Sequence, residues 1–110
     1  MKSFVLNAFD HQYPAHFVLS NYSHGNGLYV GIELEDGEPW GDVSTNLEFE
    51  LPENTIAIKK YDFGLKNYNI LKELDAVIVE LGTVTQGYGE FIIVTVDYDK
   101  LLEYGYVLEQ

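Results

Sequence analysis

The sequence predicts an α+β domain, an antiparallel β-sheet with one short amphipathic helix packed on one face. Three patterns carry that expectation. Leu28, Val30, Ile32 and Leu34 alternate with Tyr29, Gly31, Glu33 and Glu35, as in a half-buried strand. Leu65, Tyr68, Leu71 and Leu74 recur at the spacing of one helical face. Phe91 to Val96 is a β-branched run apolar on both sides, the pattern of a central strand covered by that helix.

The remaining elements follow in order. Phe4 to Phe9 and His16 to Tyr22 are apolar runs separated by the turn-like Asp10-His11-Gln12-Tyr13-Pro14. Ser23 to Gly27 is a second turn. After the strand that ends at Glu35, Asp36-Gly37 suits a two-residue hairpin turn, because both positions accept positive φ cheaply. The return strand is expected from Pro39 to about Phe49, and a further strand from Thr55 to Ile58. Ala76 to Leu81 fits either a helix extension or a strand, with Val77, Ile78 and Val79 favouring strand. Gly82 to Gly89 is expected as a loop, Asp99 to Glu103 as a turn of helix capped by Asp97 or Asp99, and Tyr106 to Leu108 as a last extended piece.

With 110 residues and 46% hydrophobic content, residues 1–110 make one domain with a real core. No apolar run approaches the roughly 20 residues of a membrane helix, and the start lacks the apolar stretch of a secretion signal. Those features and the absence of cysteine point to the cytoplasm. Charge is the most informative total. Eighteen acids face six lysines, there is no arginine, and the net charge is −12. Without arginine there is no bidentate fork for phosphate or guanine. Direct nucleic-acid binding is disfavoured, and a basic protein surface is the partner that such a charge attracts. No lysine falls between Ser3 and Ile58, a stretch with nine acids.

A two-residue turn at Asp36-Gly37 would set Glu35 opposite Glu38, Glu33 opposite Trp40, Gly31 opposite Asp42 and Tyr29 opposite Ser44, all on one surface. Continuing the return strand would add Glu48 and Glu50 to that surface and turn Leu47 and Phe49 into the core. The expected partner-binding set is therefore Tyr29, Glu33, Glu35, Glu38, Trp40, Asp42, Glu48 and Glu50. Like charges facing each other cost energy without a cation nearby, and acids around a tryptophan suit docking to a basic partner. The competing reading is a wet sheet face whose acids serve solubility.

Other chemistry is weakly signalled. His11, His16 and His24, with Asp10, match no common zinc spacing. Thr83 to Gly89 lacks the Gly-Lys-Ser/Thr ending of a phosphate loop, and Asp97-Tyr98-Asp99 lacks the further oxygen ligands of a calcium loop. No serine sits in a nucleophile elbow. The expectation is a protein that is not an enzyme and needs no metal or cofactor.

Asp36-Gly37-Glu38-Pro39-Trp40, followed by Ser44, Asn46 and Leu47, resembles an uncharacterised family of phages, plasmids and conjugative elements of Firmicutes. Members of that family share a Gly-Glu-Pro-aromatic stretch leading into a strand that ends in Asn-Leu. A looser likeness continues through Leu51-Pro52 and Gly87-Tyr88. The resemblance implies a mobile-element setting, in which small acidic proteins inhibit host defence nucleases of restriction or CRISPR type, some by mimicking DNA. The expected function is thus a non-catalytic interaction module, with a structural or accessory domain, homo-oligomeric or not, as the alternative.

Overall fold

A computed structural model of the chain describes residues 1–22 and 27–108. The turn expected at Ser23 to Gly27 and the imidazole of His24 fall largely outside the described residues. Strand β1 (Phe4–Ala8) turns back through Phe9 and Asp10, both at positive φ (51° and 62°), into β2 (His11–Asn21). The turn is therefore two residues long, and the stretch expected as a loop up to Pro14 is strand. Proline is tolerated there for a simple reason. The Pro14 carbonyl accepts from Glu35 N at 3.1 Å. A strand residue points its N and O the same way, so its missing N–H faces away from β1.

Strand β3 (Leu28–Leu34) pairs antiparallel with β2, and β4 (Pro39–Asp42) pairs antiparallel with β3. The chain then crosses to a second sheet, in which β5 (Thr55–Lys59), β7 (Gly89–Val96) and β6 (Val77–Gln86) are antiparallel neighbours with β7 in the middle. Helix α1 (Gly64–Glu73) lies between β5 and β6 in sequence, and helix α2 (Tyr98–Glu103) follows β7. Strand β8 (Gly105–Val107) returns to the first sheet, pairing parallel with Phe17–Leu19 of β2.

The α+β class stands, with antiparallel sheet dominating, but the arrangement differs from one sheet under one helix. Two sheets share a core. Phe4, Leu6, Phe17, Leu19, Val30 and Ile32 from the first meet Ile56, Ile58, Ile92, Val94 and Val96 from the second. Helix α1 adds Tyr68, Ile70 and Leu71, and α2 adds Leu101. Strand β7 is central and buried on both faces. Its second cover is a connecting segment, however: Phe91 and Ile93 pack with Ala57 against Leu47 and Leu51. On α1 the buried stripe runs through Asn67, Tyr68, Ile70 and Leu71, and the expected core residue Leu65 faces out.

Asp97 caps α2, its carboxylate accepting from Lys100 N at 3.2 Å. The ambiguous Ala76 to Leu81 stretch belongs mostly to β6, and the expected loop after it continues that strand to Gln86. Only Gly87 and Tyr88 turn, between paired Gln86 and Gly89. Two register shifts, at Val77/Val79 and Glu80/Gly82, kink this strand. Such bulges disrupt the alternation that marks a strand in sequence.

Candidate interaction surface

The β3–β4 hairpin decides which residues share a face. Leu34 N donates to Glu38 O at 2.8 Å and Gly37 N to Leu34 O at 2.9 Å, so the loop is Glu35-Asp36-Gly37. Gly37 has φ +92°, which closes a three-residue turn where only glycine is unstrained. This extra loop residue sets Glu33 opposite Pro39. A bulge at Trp40 then restores the expected pairs Ile32 with Gly41 and Gly31 with Asp42. One inserted residue moves a side chain to the other face. Trp40 therefore leaves the surface of Glu33 and Asp42 and packs at the margin of the core. The expected pairs Glu33 with Trp40 and Glu35 with Glu38 do not form.

The return strand also ends early, at Asp42. Thr45 bridges to Ala57 of the second sheet, carrying the chain across. Glu48 and Glu50 consequently leave the Glu33 face, with Glu48 N donating to Gln86 Oε1 at 2.9 Å. Leu47 is buried as expected, whereas Phe49 is exposed.

On the outer face of the first sheet, Glu33 and Asp42 are held by their own neighbours. His16 lies opposite Glu33 in the β2–β3 register, and its Nε2 is 2.8 Å from Glu33 Oε1. Tyr106 of β8 donates to both Glu33 oxygens, at 3.1 and 3.2 Å. Its ring lies 5.6 Å from that of His16, and His16 is only 8% exposed. Burial and the Glu33 carboxylate push the Tyr106 hydroxyl above its ordinary range. The Tyr29 hydroxyl donates to Asp42 Oδ1 at 2.6 Å. Gly31 makes that reach feasible, since a Cβ there would sit 2.3 Å from the Tyr29 oxygen. Burial first, then Asp42, raise the Tyr29 pKa strongly. Tyr22 completes the row, its hydroxyl 2.8 Å from Ser44 Oγ and its ring 5.7 Å from that of Tyr29.

The hairpin tip is different. Glu35, Asp36 and Glu38 are all exposed. Among the described residues, no lysine or histidine forms an ion pair with any of them. Within the tip, Glu38 N donates to Asp36 Oδ1 at 3.0 Å. Beside them runs a row of rings, with Tyr13 6.1 Å from Trp40 and Trp40 6.4 Å from Phe9. A groove of about 420 Å³ continues the row, walled by Phe9, Trp40, Val43 and Phe63, with Asn67 and Asp62 among its polar lining. Phe9 is 79% and Phe63 63% exposed.

The structure thus brings Glu35 and Glu38 together at one tip with Trp40 nearby. Glu33, Asp42 and Tyr29 lie on the adjoining face, and Glu48 and Glu50 lie apart from both. Sequence reasoning missed His16, Tyr106, Phe9, Tyr13 and Phe63 as parts of this region. His16 had one available signal: counting equal distances from the turn expected at Ser23 to Gly27 places it within one residue of the position opposite Glu33. Among the described residues, no three histidine or acidic side chains gather as a metal site would require. Comparison of the chain with family models, curated proteins and solved structures found no match.

Proposed function

We propose that the protein is a non-catalytic interaction module that presents the tip of its β3–β4 hairpin to a basic protein surface. The observation that carries this reading is the trio Glu35, Asp36 and Glu38, exposed together without a cation partner among the described residues. Unbalanced like charge at a loop tip costs folding energy and is offset when a complementary surface arrives. The neighbouring rings of Tyr13 and Trp40 supply the aromatic contact that interface centres favour.

The overall charge of −12 and the hairpin's resemblance to a mobile-element family favour one partner class. That class is a nucleic-acid-binding host enzyme, a defence nuclease of restriction or CRISPR type, whose basic cleft the tip would occupy in place of DNA. The acids that imitate phosphates would be fewer than a full sheet-wide stripe, since Glu33 and Asp42 are engaged internally.

The test is competition. DNA binding by the host's restriction and CRISPR nucleases is measured with and without the protein, at low and high salt. Wild type should displace DNA from one of them in a salt-sensitive way. Reversing Glu35, Asp36 and Glu38 to lysine should weaken that effect on the order of tenfold, mainly through slower association. Reversing Glu53, Glu73 and Asp99, exposed acids away from the hairpin, should leave it intact once the shared change in net charge is matched. Equal loss in both triple variants would reduce the effect to net charge and remove the tip as a site.

A further inference from the structure

From the groove beside the hairpin tip, we infer that the partner segment inserts one large apolar side chain between Phe9, Trp40 and Phe63, flanked by basic residues. This rests on the docking reading above and specifies what the partner must carry. The groove's volume of about 420 Å³ lies within the range of ligand pockets and exceeds what one leucine or phenylalanine needs. Its walls are mainly apolar, and two of them are rings that solvent reaches freely, Phe9 at 79% and Phe63 at 63% exposure.

Both rings are placed by unusual backbone. Phe9 itself has φ +51° and Asp62, just before Phe63, has φ +54°, conformations that side-chain-bearing residues rarely adopt. Phe9 is held edge-on to Trp40, and Phe63, at the N-terminal end of helix α1, lines the same groove. The buried side chain of Asn67, whose Nδ2 lies 3.5 Å from Asp42 O, sits in the lining with an amide suited to a main-chain group. Lys59 contributes to the wall but turns its ammonium to the ring of Tyr61, 6.0 Å from the centroid.

Charge identifies the occupant's flanks. The ring row from Phe9 through Trp40 to Tyr13 ends against the shallow surface formed by Tyr13, Pro14, Leu34, Glu35 and Asp36. An apolar anchor in the groove would therefore set its neighbouring residues against the acids of the tip. Lysine or arginine there is complementary, and acidic residues would be repelled.

Trp40 is the only tryptophan in the chain, so its fluorescence reports occupancy directly. Two acetylated peptides serve as probes, Lys-Lys-Leu-Lys-Lys and Lys-Lys-Ala-Lys-Lys, titrated against the full chain at low salt. The leucine peptide should bind about tenfold tighter and shift Trp40 emission, as burial of most of one apolar side chain predicts. Phe9→Ala and Phe63→Ala, both at exposed positions, should abolish the leucine preference while leaving the weak, salt-sensitive binding of both peptides. The triple tip reversal should weaken both peptides but leave their ratio unchanged, so failure of the tip and failure of the groove are told apart. Equal affinity of the two peptides for wild type overturns the inference. So does a leucine preference that survives both phenylalanine substitutions.

Discussion

Replacing Glu33 with alanine separates an acid that builds the fold from one that waits for a partner. Glu33 accepts from His16 at 2.8 Å and from Tyr106 at 3.1 and 3.2 Å. The side chains of His16 and Glu33 are 10% and 22% exposed, so solvent replaces these bonds poorly. Hydrogen bonds to a charged group contribute roughly 1.5–3 kcal/mol each, and the two here share one acceptor and will not add fully. The expected loss is about 2–3 kcal/mol. For a domain of this size that corresponds to a fall of about 8–12 °C in Tm. Tyr106→Phe should cost about 1.5 kcal/mol, and the double variant less than the sum of the two. Glu35→Ala is the control, within about 0.5 kcal/mol of wild type because Glu35 is exposed. Urea and thermal unfolding of these four variants and wild type measure all of this. If Glu33→Ala is no more destabilising than Glu35→Ala, the cluster contributes nothing and Glu33 returns to the docking surface.

Two further outcomes are expected. Gly37→Val should destabilise the domain by about 1 kcal/mol or more, because φ +92° strains any residue with a Cβ; unchanged denaturant midpoints would contradict the turn geometry. The tyrosines should make the protein alkali-sensitive. Tyr22, Tyr29, Tyr68 and Tyr106 are all raised, chiefly by burial, and Tyr68 reaches about 12 with help from Glu80. Unfolded tyrosine ionises near pH 10. This contribution to stability is therefore complete below about pH 10 and lost as pH rises through the folded values. Absorbance titration of tyrosinate should show a delayed group, and Gly31→Ala, which displaces Tyr29 from Asp42, should advance one member of it. Uniform titration near pH 10 in the folded protein would be the contrary result.

Local pattern foretold much of this molecule. The alternation of Leu28 to Leu34 and the double-sided run Phe91 to Val96 were legible because burial on one face or two leaves a period in the sequence. The α1 stretch was legible for the same reason, although Leu65 and the true stripe differ by rotation about the helix. Single-residue backbone events were not legible. The extra loop residue at Glu35 to Gly37 and the compensating bulge at Trp40 leave the register intact beyond them but change the partners and faces of Glu38, Pro39 and Trp40. Glycine at 82 marks a bulge in β6, but sequence alone gives it the same weight as a loop glycine. The candidate site suffered most, because its expected membership multiplied one register assumption over eight residues. The Glu33 cluster joins strands 17 and 73 positions apart in the chain, and no local signal specifies such a meeting.

The position of β8 has a consequence for how the chain is made. One edge of β2 is shared end to end, with β1 along its first half and Gly105 to Val107 along Phe17 to Leu19. Strand β2 leaves the ribosome well before β8, so its edge is completed only by residues much later in the chain. Until those residues emerge, the backbone around Phe17 and Leu19 presents an unpaired edge beside two side chains that belong in the core. Domains that close on such distant contacts complete late, and open edges recruit other chains in the meantime. Nascent chains arrested before Gly105 should therefore hold ribosome-associated chaperones longer than chains extended by a linker that lets Val107 clear the exit tunnel.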